Sequence, residues 1–87
     1  MNNIMTIKKE VLYLGGKINN IVAKDGSVIE YVSVSIIVKE DNCKIDTSFK
    51  VKAEEFLKMD LIPYNSYTAT MQLDFSDKIK VKVIEIV

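Results

Sequence analysis

The sequence predicts an all-β fold: a five-stranded Greek-key barrel with one short helix between the third and fourth strands. Three observations lead there. Apolar and polar residues alternate with a period of two over several segments, the pattern of a strand with one buried face. Only one stretch, Ala53–Leu61, carries the marks of a helix. The order strand, strand, strand, helix, strand, strand then has to fit into 87 residues, the size of one domain.

The helix is the pivot. Glu54 and Glu55 sit in its first turn, where the positive end of the helix dipole favours carboxylates, and Glu54 and Lys58 form an i,i+4 pair in the favourable order. Pro63 ends it by disfavouring helical geometry at Ile62. Nine residues are too few to be stable alone, so Phe56, Leu57 and Leu61 are expected to dock on the sheet and plug one end of the barrel. A barrel with this order of elements is of the oligonucleotide/oligosaccharide-binding (OB) type.

The first strand is predicted from Ile4 or Lys9 to Ala23, with Gly15-Gly16 marking a bulge or bend that lets it pair on two sides. The alternative is a loop between two short strands. Lys24-Asp25-Gly26-Ser27 reads as a hairpin turn. In the second strand, Val28–Lys39, the residues Val28, Val32, Val34, Ile36 and Val38 point inward. Ile29, Tyr31, Ser33, Ser35 and Ile37 point outward. After a turn at Glu40–Cys43, the third strand, Lys44–Lys52, turns Ile45, Thr47, Phe49 and Val51 inward. The fourth, Ser66–Phe75, buries Tyr67, Ala69, Met71, Leu73 and Phe75 and exposes Thr68, Thr70, Gln72 and Asp74. Ser76-Asp77-Lys78 turns into the fifth strand, Ile79–Val87, with Ile79, Val81 and Val83 inward and Lys78, Lys80 and Lys82 outward. Ile84, Ile86 and Val87 break the alternation, which implies burial on both faces or an apolar patch suited to dimerisation.

Composition excludes several classes of function. The chain is 48% hydrophobic, enough for a core. Twelve lysines balance twelve acids; there is no arginine for bidentate phosphate recognition and no histidine to serve as general base or metal ligand. Adjacent acids, Glu54/Glu55 and Glu40/Asp41, sit at a helix start and a turn, and no glycine-rich phosphate loop is present. No enzymatic activity, cofactor or metal is therefore expected. A single cysteine, Cys43, the lack of an apolar leader and the lack of a membrane-length run predict a cytoplasmic protein with no membrane partner.

The layout resembles that of small OB-fold single-stranded DNA-binding proteins, the helix-destabilising proteins of filamentous phage and mobile elements. The local likeness is Pro63-Tyr64-Asn65-Ser66-Tyr67-Thr68-Ala69, similar to that family's opening of strand 4, and the pattern extends from about Gly26 to Val87. The resemblance implies a protein that coats single-stranded DNA, or RNA, during replication, as a homodimer or higher oligomer. It also implies a nucleic-acid-contacting hairpin, here Lys17, Asn19, Asn20 and Lys24. On an OB barrel the binding face lies on the outside of strands 2 and 3. That face would carry Tyr31, Ser33, Ser35, Ser48, Lys50 and Lys52, with Lys78, Lys80 and Lys82 from strand 5 beside strand 3. An exposed aromatic among lysines can stack a base and neutralise phosphates, whereas alternating lysines alone also serve to protect strand edges. Tyr13, Tyr64 and Tyr67 read as core or rim residues. Zero net charge favours a second class, a protein-interaction barrel serving as adaptor or assembly subunit, whereas the outward lysines of strands 3 and 5 favour the DNA binder.

Overall fold

The computed structural model describes residues 3–87. Its elements follow the expected order: β1 (Ile4–Val22), β2 (Val28–Val38), β3 (Cys43–Phe49), α1 (Ala53–Met59), β4 (Ser66–Asp74) and β5 (Lys80–Ile86). The five strands close into a ring in the order β1-β2-β3-β5-β4, with β4 returning to β1. All neighbours are antiparallel except β3 and β5, which meet in parallel through two register pairs, Ser48↔Lys82 and Phe49↔Val83. Thr47 adds a hydroxyl hydrogen bond to the Val81 carbonyl across this seam, and the Lys50 amide donates to the Val83 carbonyl at 2.8 Å.

Closure depends on β1 pairing twice. Its first half, Ile4–Leu12, lies on β4, and from Val11 onward it lies on β2. The ladder slips between Tyr13 and Gly15, so the glycine pair marks the bulge that the sequence suggested, within one continuous strand. Gly16 is required by space. A Cβ there would stand 2.8 Å from Phe56 Cζ, 2.8 Å from Tyr13 Oη and 3.0 Å from the Ser33 carbonyl oxygen. Gly26 meets the other need, a left-handed turn residue at φ +88° in the β1–β2 hairpin.

Alternation places the core well. Val32, Val34, Ile36 and Val38 of β2 pack with Val11, Tyr13, Phe49, Met71 and Val83. Several expected inward residues fall outside it. Val28 lies at the end of the hairpin beyond the ring, and Phe75 and Ile79 lie in the β4–β5 turn; all three are exposed, with no element among the described residues to cover them. Thr70, expected outward, is only 6% exposed: it sits between Lys8 and Glu85 at a second bulge in the β4–β5 ladder.

That bulge also explains the irregular end of the chain. Thr70 pairs with Glu85 and Met71 with Val83, leaving Ile84 as the extra residue. Val83 and Ile86 are both buried as a result, Ile84 is half-buried, and only Val87 is exposed. The apolar patch considered for dimerisation does not form there.

The helix is shorter than expected, seven residues, ending in Asp60 at a left-handed φ of 55°. Its plug is partial. Phe56 is half-buried and meets Phe49 edge-on at 6.3 Å, and Leu61 packs beside the core, but Leu57 is 68% exposed because a helix of about two turns presents only one side to the sheet. β3 likewise ends early, at Phe49, so Lys50, Val51 and Lys52 form the link into the helix. No helix among the described residues is long and apolar enough to cross a membrane.

Candidate nucleic-acid interface

Register brings outward side chains from every strand into one transverse row. Lys17 stands opposite Ser33, Ser33 opposite Ser48, Ser48 opposite Lys82 and Lys82 opposite Gln72. With strands about 4.8 Å apart, the row spans roughly 19 Å across the sheet. It is polar, small in the middle and cationic on both sides.

One step along the strands, Tyr31 pairs with Asn19 and keeps 38% of its surface exposed. It faces outward, as β2 alternation requires, since its neighbour Val32 is fully buried. Beside it β3 has just ended, and the departing chain leaves a cleft of ≈ 440 Å³ lined by Glu30, Tyr31, Ser48, Phe49, Lys50, Val51, Lys52 and Lys82. The Asn19 side-chain amide donates to Ser33 Oγ at 2.9 Å, which steadies the edge of this face and leaves the Ser33 hydroxyl proton available.

The lysines divide into two sets. Lys9, Lys39 and Lys44 form ion pairs with Glu40, Glu10 and Asp46 at 2.7, 3.1 and 3.7 Å. The other nine have no acidic partner within 4.0 Å among the described residues, and four of these, Lys17, Lys50, Lys52 and Lys82, surround the Tyr31 cleft and the serine row. Local charge is therefore positive on this face although the chain is neutral overall. Glu30 on the cleft wall and Glu54, which flanks Lys52 in an adjoining depression, temper it.

The remaining sequence candidates lie apart. Ser35 donates its hydroxyl to the Asp46 carboxylate, which also pairs with Lys44, so that position is occupied internally. Lys24 is at the hairpin tip and Lys78 in the β4–β5 turn, away from the row. Lys80 stands opposite Asp74. Hydrogen bonds from Ser76 hold that carboxyl below its ordinary range, with Lys80 and Lys82 adding to the effect.

Of the other tyrosines, Tyr13 is a core residue. Burial pushes its phenol upward, and its ring meets Tyr67 edge-on at 6.1 Å. Tyr67 Oη accepts the Ile62 amide at 2.9 Å. Tyr64 departs from the core-or-rim expectation: it is 75% exposed in a left-handed turn at φ 71°. Gln72, Phe49 and Glu30 belong to the site as row member, floor and wall, and sequence reasoning did not assign them to it. Alternation put Gln72 outward, but which strand lies beside it depends on ring closure.

No group of three or more His, Cys, Asp or Glu side chains converges among the described residues. Comparison of the chain with family models, with curated proteins and with solved structures finds no match.

Proposed function

We propose that the chain is an OB-type Greek-key barrel that binds single-stranded DNA, or RNA, without sequence preference and without catalysis. One observation carries this reading: an exposed aromatic ring, Tyr31, shares a cleft with Lys50, Lys52 and Lys82, none of which has an ion-pair partner within 4.0 Å among the described residues, beside a row with Ser33 and Ser48 at its centre. A base stacks on the ring while ammonium groups meet the flanking phosphates, the minimum needed for sequence-tolerant binding. Serine-sized neighbours leave the backbone of the ligand room to pass.

Fluorescence titration of labelled poly-dT at several salt concentrations tests the proposal. Three to four phosphate contacts give a slope of log K against log salt of about −2 to −3, from roughly −0.7 per contact on a single strand. Absence of binding at low salt, or binding indifferent to salt, overturns it. The second reading, a protein-interaction barrel, draws on a different surface: Leu57, Ile62 and Tyr64 all stand exposed on the helix side. It gains if poly-dT does not bind.

A further inference from the structure

Beyond the ring, the β1–β2 hairpin continues as a two-stranded ribbon. β3 pairs with β2 only from Val32 onward, and β4 pairs with β1 only as far as Leu12, so among the described residues Lys17–Val22 pair only with β2 and Val28–Tyr31 only with β1. Their side chains are apolar on both faces: Ile21 opposite Ile29 on the Tyr31 side, Val22 opposite Val28 on the other, all at least half exposed. A ribbon of two strands is marginal in water without a further partner, and Ile18–Ala23 carries none of the lysines or prolines that protect an open edge.

The ladder determines which backbone groups face outward. The Ala23 amide donates to the Ser27 carbonyl at 2.8 Å, so this pair bonds inward. Antiparallel pairs alternate between bonded and non-bonded. Ile21 and Asn19 therefore bond to β2, while Val22, Asn20 and Ile18 turn their N–H and C=O groups to the open edge of β1. On the β2 edge only Val28 and Glu30 do so, and the Lys50–Glu54 segment adjoins Glu30.

We infer that a second copy of this chain pairs along the β1 edge, antiparallel, with its two-fold axis through Asn20. In that register Ile18 faces Val22 of the partner copy, Asn20 faces its own equivalent, and Val22 faces Ile18. Every outward amide and carbonyl of Ile18, Asn20 and Val22 is used. Apolar residues meet apolar residues, the neutral amides meet on the axis, and no like charges are opposed. The β2 edge makes a poorer match: it has two outward residues instead of three, one of them Glu30, beside a connecting segment. The result is one four-stranded sheet shared by both copies, in which Val22 lies between Val28 of its own chain and Ile18 of the other. Strand binding is not required for this assembly, so the test is made without nucleic acid.

Sedimentation velocity of the full chain over a range of concentrations should give a species of twice the 9.9 kDa chain mass. Asn20→Lys, which places two cations on the axis, should return it to the monomer. Paired residues on such an axis have Cα atoms about 5.5 Å apart, within disulfide reach. In a Cys43→Ser background, mild oxidation should therefore cross-link Asn20→Cys as a dimer. Ile21→Cys should not cross-link, because its equivalents lie more than about 7 Å apart in this register. A monomer at all concentrations overturns the inference. A dimer that cross-links as well through Ile21→Cys as through Asn20→Cys overturns the register. The cross-linking arm stands if Asn20→Lys disturbs folding.

Discussion

Gly16→Ala is the sharpest test of how the helix end of the ring is packed. Gly16 has no positive φ that would penalise a side chain, so alanine should gain about 0.4–1 kcal/mol by restricting the unfolded chain. Against this stands the space for its Cβ. Carbon contacts prefer about 3.5–4.0 Å, whereas the new methyl would meet Phe56 Cζ and Tyr13 Oη at 2.8 Å and the Ser33 carbonyl oxygen at 3.0 Å. Phe56 is half-buried on a short helix and can retreat. Tyr13 is buried, and Ser33 O belongs to the β2 backbone, so neither yields easily. Overpacking of this kind costs about 1–3 kcal/mol, and the net should be a loss of about 1–2 kcal/mol. For a domain of this size, each kcal/mol lowers Tm by roughly 4–8 °C. Thermal melts followed by circular dichroism measure it directly. A double-mutant cycle with Phe56→Ala should show coupling above about 0.5 kcal/mol, since removing the ring relieves one of the three contacts. A Tm equal to or above that of the parent would refute the close approach, because the unfolded-state gain would then have prevailed.

Tyr31→Ala should weaken poly-dT binding about tenfold, as base–aromatic stacking is worth about 1–3 kcal/mol, with Tyr31→Phe retaining most of it and Tm hardly changed. Equal affinity for parent and alanine variant would refute the stacking role. Phe56→Ala, measured by urea unfolding, should cost about 2 kcal/mol, below the 3–5 typical of a fully buried ring, because the side chain is only partly covered. Acidification should also reduce stability. Glu40, through Lys9, and Asp25 and Asp74, through Ser27 and Ser76, have folded pKa values below their ordinary ones. Their contribution is present above the ordinary carboxylate range and is lost as pH falls through the lowered values. Melts between pH 6 and about pH 2 should show the decline, and the variant Asp25→Asn/Glu40→Gln/Asp74→Asn should flatten it.

Period-two alternation carried most of the architecture, since each strand has one dry face. It located the β2 core, the outward Tyr31 and the order of elements around α1. It failed where the physical premise failed. Val28, Phe75 and Ile79 follow the inward pattern at strand ends that no described element covers. Thr70 and Ile84 lie at a bulge, which shifts the pattern by one residue. Leu57 looked buried because helical spacing does not reveal how little of a seven-residue helix can touch the sheet. The site was legible in residue type more than in neighbourhood. Lysines on strands 3 and 5 looked alike in the sequence, yet Lys82 joins the serine row whereas Lys44 and Lys80 stand against Asp46 and Asp74. Those distinctions depend on register between strands distant in the chain.

The seam between β3 and β5 has a consequence for the order in which the chain assembles and breathes. β1, β2 and β3 form a meander through short turns, and β4 and β5 form a hairpin of their own, so both units arise from neighbours in the chain. Joining them requires closure of much longer loops, and such contacts form slowly. The β1–β4 junction offers nine register pairs for this step and the β3–β5 seam only two. With the fewest pairs, the parallel seam is expected to close last and to reopen first under native conditions. Amide hydrogens at Lys50 and along the facing edge of β5 should exchange well ahead of those buried in the β1–β4 ladder. An opening at this seam would work as a clasp, with Lys82 on one side of the gap and Ser48 on the other.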